Sequence, residues 1–110
     1  MKKILLSVAP VEAIRHKIDQ SALVEDILKC SELGASMVHL HVRDENACLT
    51  EDMEFTNQII EEIRKYSNII IEISTGGVSD LTIEQRCVCV SEDMRIEAYS
   101  LNVGSVNLGE

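Results

Sequence analysis

Runs of β-forming residues recur along the chain with starts near positions 3, 36, 68 and 96, and stretches of helical spacing fill the gaps. This beat of roughly 30 residues constrains the fold more than any other feature, because it matches one strand-plus-helix unit of a (β/α)8 barrel. Parallel strands need a crossover of a dozen or more residues, normally a helix, so the alternation predicts an α/β protein with a parallel sheet. Strands are expected at about 3–9, 36–43, 68–74 and 96–103. Eight such units fill about 250 residues, so the chain holds about three and a half of them. A small doubly wound sheet uses the same units, and periodicity alone leaves both architectures open.

Three helices are expected between the strands. Ser21 can cap the first, whose Leu23, Val24, Ile27 and Leu28 recur at helical spacing, and Gly34 lies where a helix commonly ends in the left-handed conformation. Thr50 can cap the second, with Glu51 and Asp52 at the positive end of its dipole, Ile59, Ile60 and Ile63 as its buried stripe, and Arg64 and Lys65 near its other end. Thr82 and Gln85 form a capping-box pair for a third, shorter helix whose pattern fades near Ser91. With aromatic residues at 3% and no Trp, the core must be built from Ile, Val, Leu, Met and Ala, the composition of buried parallel strands and their covering helices.

Charge and cysteine usage narrow the function. Nineteen acidic against ten basic residues give a net charge of −9 without a Lys/Arg cluster, which disfavours a nucleic-acid partner and an anionic membrane surface. No apolar stretch approaches the ~20 residues that span a bilayer. Lys2 and Lys3 precede an apolar run in the manner of a secretory leader, but that run stops at Glu12, so a first buried strand explains it better. Cys30, Cys48, Cys87 and Cys89 contain no C-x-x-C pair, and reduced thiols in a cytoplasmic protein are the expectation. Cys87 and Cys89 diverge by about 200° if helical, which separates their thiols.

The chemistry concentrates in Met37-Val38-His39-Leu40-His41-Val42-Arg43. A spacing of two puts His39 and His41 on one strand face and Val38, Leu40 and Val42 on the other. A single buried histidine is usually a hydrogen-bonded core residue. Two on one face raise the desolvation cost, which a shared metal offsets by using the neutral nitrogen lone pairs. Zinc in a catalytic site takes three protein ligands, and two are visible here. Arg43 continues the same face toward the C-terminal end of the strand, where α/β proteins place their ligand sites, and suits a substrate carboxylate or a pair with Asp44. Ser74-Thr75-Gly76-Gly77 follows the third strand and can present backbone N–H groups to an anion, although Gly-Gly is also a common turn. The fourth strand runs into Leu101-Asn102-Val103-Gly104-Ser105-Val106-Asn107, so three successive strands deliver small polar groups to one rim. His16 lies in a polar connection.

Taken together these motifs resemble the β-keto acid cleavage enzymes, the family typified by 3-keto-5-aminohexanoate cleavage enzyme. The resemblance spans nearly the whole chain. It rests on Ser7-Val8-Ala9-Pro10, Gly34-Ala35, His39-Leu40-His41-Val42-Arg43-Asp44, Ser74-Thr75-Gly76-Gly77, Arg86 and Leu101-Asn102-Val103-Gly104-Ser105-Val106-Asn107. It implies a TIM barrel with zinc held by His39, His41 and a glutamate from a much later part of the family pattern, beyond Glu110. Zinc in the family acts as a Lewis acid on the keto group of a β-keto acid, which reacts with acetyl-CoA to give acetoacetate and a new CoA thioester. The resemblance also implies that Ser74, Gly77, Ser105 and Asn107 line the pocket that orients the keto acid. Where the family commonly has Thr-Gly-Ala after Ala-Pro, this chain has Val11-Glu12-Ala13.

The expectation is therefore an α/β chain forming a partial (β/α)8 barrel of about four parallel strands and three helices, residues 1–110 making a single incomplete domain. An unclosed parallel sheet exposes strand edges, so self-association or pairing with a complementary C-terminal half is expected, with little or no activity alone. Two other readings compete. One is a non-catalytic remnant or interaction module without metal; the other is a metal-dependent hydrolase-like barrel fragment, less apt because such His-x-His pairs usually sit on the first barrel strand.

Overall fold

Alternation along the second strand sets the orientation of the whole sheet. In the computed structural model, which describes residues 3–11, 16–76, 80–90 and 93–100, Val38, Leu40 and Val42 are buried while Met37, His39 and His41 between them are only half-buried. The same holds in the third strand, where Ile71 and Ile73 are fully buried and Ile70 and Glu72 are not. One face of the sheet is thus a continuous apolar surface and the other is mixed.

The elements in chain order are β1 (Ser7–Val8), α1 (Gln20–Glu32), β2 (Met37–His41), α2 (Glu54–Tyr66), β3 (Ile70–Ser74), α3 (Ile83–Arg86) and β4 (Ala98–Tyr99). All three strand pairings are parallel, and the spatial order β1-β2-β3-β4 repeats the chain order. The strand-helix alternation expected from the sequence is therefore present, with β1 and β4 each only two residues long; the buried first strand expected over 3–9 is reduced to Ser7–Val8, and Ile4, Leu5 and Leu6 are exposed. The expected last strand extends past Ser100 into residues outside those described.

Helices α1 and α2 cover the apolar face. Ile27 of α1, Ile60 and Ile63 of α2, Val38 of β2 and Ile71 and Ile73 of β3 are completely buried in one cluster, and Phe55 and Tyr99 only fringe it. The core is aliphatic, as the composition requires. Ser31 and Ser67 share a hydrogen bond of 2.8 Å between the ends of the two helices. Arg64 extends the end of α2 across the sheet: it donates to the carbonyls of Ile69 at 2.5 Å and Arg95 at 2.9 Å and pairs with Glu97 at 2.5 Å, joining the approaches to β3 and β4.

The helix boundaries differ from the expectation in two places. Asp19, not Ser21, caps α1, its Oδ1 accepting the Ala22 N–H at 3.1 Å. Asp19 has a short acceptor of the same kind and stands two residues earlier, so it reaches the free amides first. Thr50 does not cap α2, which begins at Glu54 behind Met53. Instead Thr50 Oγ1 accepts the Asp52 N–H at 3.1 Å and Asp52 accepts the Glu54 N–H at 2.9 Å, two side-chain turns that delay the helix. Gly34 adopts φ 110°, the left-handed end anticipated for α1, and Thr82 and Gln85 form the capping box of α3. That third helix is a single turn, so Cys87 and Cys89 lie in the turns beyond it, Cys87 exposed and Cys89 buried with its thiol pKa pushed up by burial. No helix among the described residues is long and apolar enough to cross a membrane.

Candidate functional site

His39 and His41 project from β2 on the face away from α1 and α2. Their ring centroids are 5.2 Å apart with planes at 82°, an edge-to-face arrangement that brings the two imidazoles to one place. The Nδ1 atom of His41 is buried and has no hydrogen-bond partner among the described residues. Burial foremost, then the positive charge of Arg43 and the neighbouring His39, lowers the His41 pKa to about 4, against the opposing pull of a hydrogen bond with the Gly76 backbone. The ring is thus neutral at pH 7 and carries a lone pair.

An orphaned buried nitrogen costs about 1–3 kcal/mol. A cation bound to it removes that cost, and neutral imidazole is the form that binds zinc. The donors present therefore fit a divalent metal. Among the described residues, no group of three or more His, Cys, Asp or Glu side chains is placed to hold one, so the histidine pair is short of the third protein ligand that catalytic zinc takes.

Register supplies the neighbours of the pair. On the parallel β2–β3 ladder His39 stands opposite Glu72 and His41 opposite Ser74, and His39 Nδ1 hydrogen-bonds with a carboxylate oxygen of Glu72. Sequence reasoning missed Glu72. Its signal was present in Ile70-Ile71-Glu72-Ile73-Ser74: a carboxylate interrupting a run of Ile, two positions before Ser74 and so on the same face.

Arg43 lies at the end of β2 and turns toward the following loop. It donates from Nη1 to the Ala47 carbonyl at 2.7 Å, while its backbone N–H reaches Thr56 Oγ1 at 3.4 Å. The Asp44 carboxylate accepts the N–H groups of Asn46 and Cys48 at 2.9 and 3.0 Å. These bonds, with the antiparallel bridge between Arg43 and Leu49, fold residues 44–49 into a tight loop in which Ala47 takes φ 62°.

Ser74 is buried beside His41 and organises the next loop. Its Oγ accepts the Gly76 N–H at 3.1 Å and the Ser100 hydroxyl at 3.3 Å. Ser100 Oγ in turn accepts the Thr75 N–H at 3.1 Å, and Thr75 Oγ1 donates to the Ser100 carbonyl at 3.0 Å. The amides of Thr75 and Gly76 are thereby engaged by hydroxyls of β3 and the end of β4, and are not offered to an anion. Of the other residues singled out in the sequence, Gly77, Ser105 and Asn107 lie outside the described residues, as does Glu12. A groove of about 560 Å³ runs along α1, lined by residues from Gln20 to Glu32 with Glu62 of α2, and includes none of these side chains.

A histidine pair on a strand of a parallel sheet, flanked by hydroxyl-bearing strand ends, describes an α/β protein with polar side chains gathered at one rim of its sheet. Residues 9–110 match the family described as beta-keto acid cleavage enzyme, and the chain belongs to that family. It is 33% identical to a 3-keto-5-aminohexanoate cleavage enzyme of Fusobacterium nucleatum, over 99% of this chain and 42% of that protein. It is 32% identical to a 3-oxoadipate:acetyl-CoA acetyltransferase of Cupriavidus necator, over 94% of this chain and 38% of the relative. A 3,5-dioxohexanoate:acetyl-CoA acetone transferase of Paraburkholderia graminis is 26% identical over 98% of this chain and 37% of its own length. The chain thus spans about two-fifths of the length of the curated relatives it matches.

Proposed function

We propose that the chain carries the strand-borne part of a zinc site for β-keto acid cleavage, in which a β-keto acid and acetyl-CoA give acetoacetate and a new acyl-CoA. The observation that carries this reading is the convergence of His39 and His41, with the Nδ1 of His41 buried and unpartnered. The names of the relatives support the substrate class: two of them act with acetyl-CoA, and their co-substrates are 3-oxoadipate and 3,5-dioxohexanoate.

The scaffold in this reading is part of a (β/α)8 barrel, residues 1–110 forming one incomplete domain. Its support is the uninterrupted order β1-β2-β3-β4. Right-handed crossovers that always step in the same direction put every helix on one face, whereas a doubly wound sheet reverses at a switch point. The other face, which bears the histidines, then becomes the barrel interior, and the C-terminal strand ends become the active-site rim.

His39 and His41 would hold the metal, which when bound supplies Lewis-acid polarisation of the substrate's keto oxygen. The protein's own groups position the substrate. Arg43 places a fixed positive charge at the end of β2, complementary to the carboxylate of a keto acid. Ser74, held by the Gly76 amide and the Ser100 hydroxyl, fixes the rim next to His41, and the family resemblance assigns Gly77, Ser105 and Asn107 to substrate binding as well. A third protein ligand would come from outside the described residues.

Metal analysis of the purified protein tests this. About one zinc per chain, lost in both His39→Ala and His41→Ala, is the expected result. Zinc absent at neutral pH would sink the metal reading and favour an interaction module without metal.

A further inference from the structure

Glu72 is an odd residue in its strand. It is a carboxylate among isoleucines, its side chain about one-quarter exposed at 24%, on the face that the histidines share. Partial burial of a carboxylate is unfavourable without a strong donor, and the donor here is His39 Nδ1. The pair is fixed by the backbone: β2 and β3 are parallel in a register that sets His39 directly opposite Glu72.

A neutral imidazole has one N–H and one lone pair. A carboxylate can only accept, so contact with Glu72 places the proton on Nδ1 and leaves the lone pair on Nε2. We propose that Glu72 is a positioning residue that locks His39 in its Nδ1–H tautomer and orients the ring so that Nε2 faces a divalent metal. This rests on the metal reading of the histidine pair given above. It adds a residue from a different strand, Glu72 of β3, held opposite His39 by the parallel register. Outer carboxylates of this kind orient ligands and raise their basicity, and their loss typically weakens metal affinity about 10–100-fold.

Two measurements on wild type, Glu72→Ala and Glu72→Gln test the assignment. In metal-free protein at about pH 9, well above the ordinary histidine pKa of about 6.5 so that imidazoles are neutral, long-range 1H–15N correlations report the tautomer directly. His39 is expected as Nδ1–H in wild type, shifting toward Nε2–H in Glu72→Ala. Glu72→Gln, whose amide oxygen still accepts the Nδ1 proton, should keep the wild-type tautomer. Zinc titration by calorimetry should then show about a 10–100-fold loss of affinity in Glu72→Ala and a smaller loss in Glu72→Gln.

An unchanged His39 tautomer in Glu72→Ala overturns the proposal. So does zinc affinity within two-fold of wild type in that variant, or an equal loss in both variants. Absence of zinc binding in wild type itself would instead overturn the metal reading and the metal-facing half of this proposal with it. The tautomer experiment would still decide whether Glu72 sets the protonation of His39.

Discussion

At the scale of single residues, His41 carries a local cost in stability. The buried Nδ1 of His41 lacks a hydrogen-bond partner, a cost of about 1–3 kcal/mol in the metal-free fold. Replacing the ring by an apolar side chain of similar size removes that cost but also the hydrogen bond with the Gly76 backbone, two effects of similar size and opposite sign. His41→Leu is therefore expected to change stability by no more than about 1 kcal/mol in urea unfolding, while abolishing zinc binding. A loss of more than about 2 kcal/mol in that variant would mean that the imidazole is a structural group. The pairing of His39 with His41 was legible because a spacing of two within β-formers leaves no other geometry for a strand. The pairing of His39 with Glu72 was not, although the carboxylate itself stands out among isoleucines, because the two lie 33 positions apart and only the inter-strand register joins them.

At the scale of elements, the ends of the helices are where reading and structure part. Asp19 accepts the Ala22 N–H, so Asp19→Ala is expected to cost about 1 kcal/mol and Ser21→Ala almost nothing in chemical denaturation. The reverse ranking would return the cap to Ser21. Capping residues compete locally: Asp, Ser and Thr all accept amide protons, and a linear pattern does not reveal which one reaches the free N–H groups first. Thr82 and Gln85 were legible because a reciprocal box requires both residues at one spacing. The buried stripe Ile59, Ile60 and Ile63 was also legible, since helical periodicity and burial agree.

At the scale of the whole molecule, the strand period announced a parallel α/β chain but left its order open, and the sheet settles that order as sequential. Order depends on which edge each crossover joins, a choice that strand-by-strand hydrophobicity does not record. Among the described residues, the two outer strands, β1 and β4, are each paired on one side only, and Ile4, Leu5 and Leu6 just before β1 are exposed. Unpaired edges with apolar neighbours recruit other chains. The 110-residue chain is accordingly expected to associate with itself, with a weight-average mass that rises with concentration in light scattering. A constant monomer mass from micromolar to near-millimolar concentration would contradict this.

The hydroxyl relay from Ser74 through Ser100 to Thr75 has a kinetic signature in hydrogen exchange. Loop amides ordinarily exchange with solvent deuterium almost as fast as those of an unfolded peptide. Here the Thr75 and Gly76 amides are held by side-chain oxygens, so they are expected to exchange with the slow core of the sheet. Ser100→Ala should release Thr75 alone, while Ser74→Ala should release Gly76. The deuterium clock of two adjacent amides would then read separately the docking of β4 and the integrity of β3 at the rim beside His41.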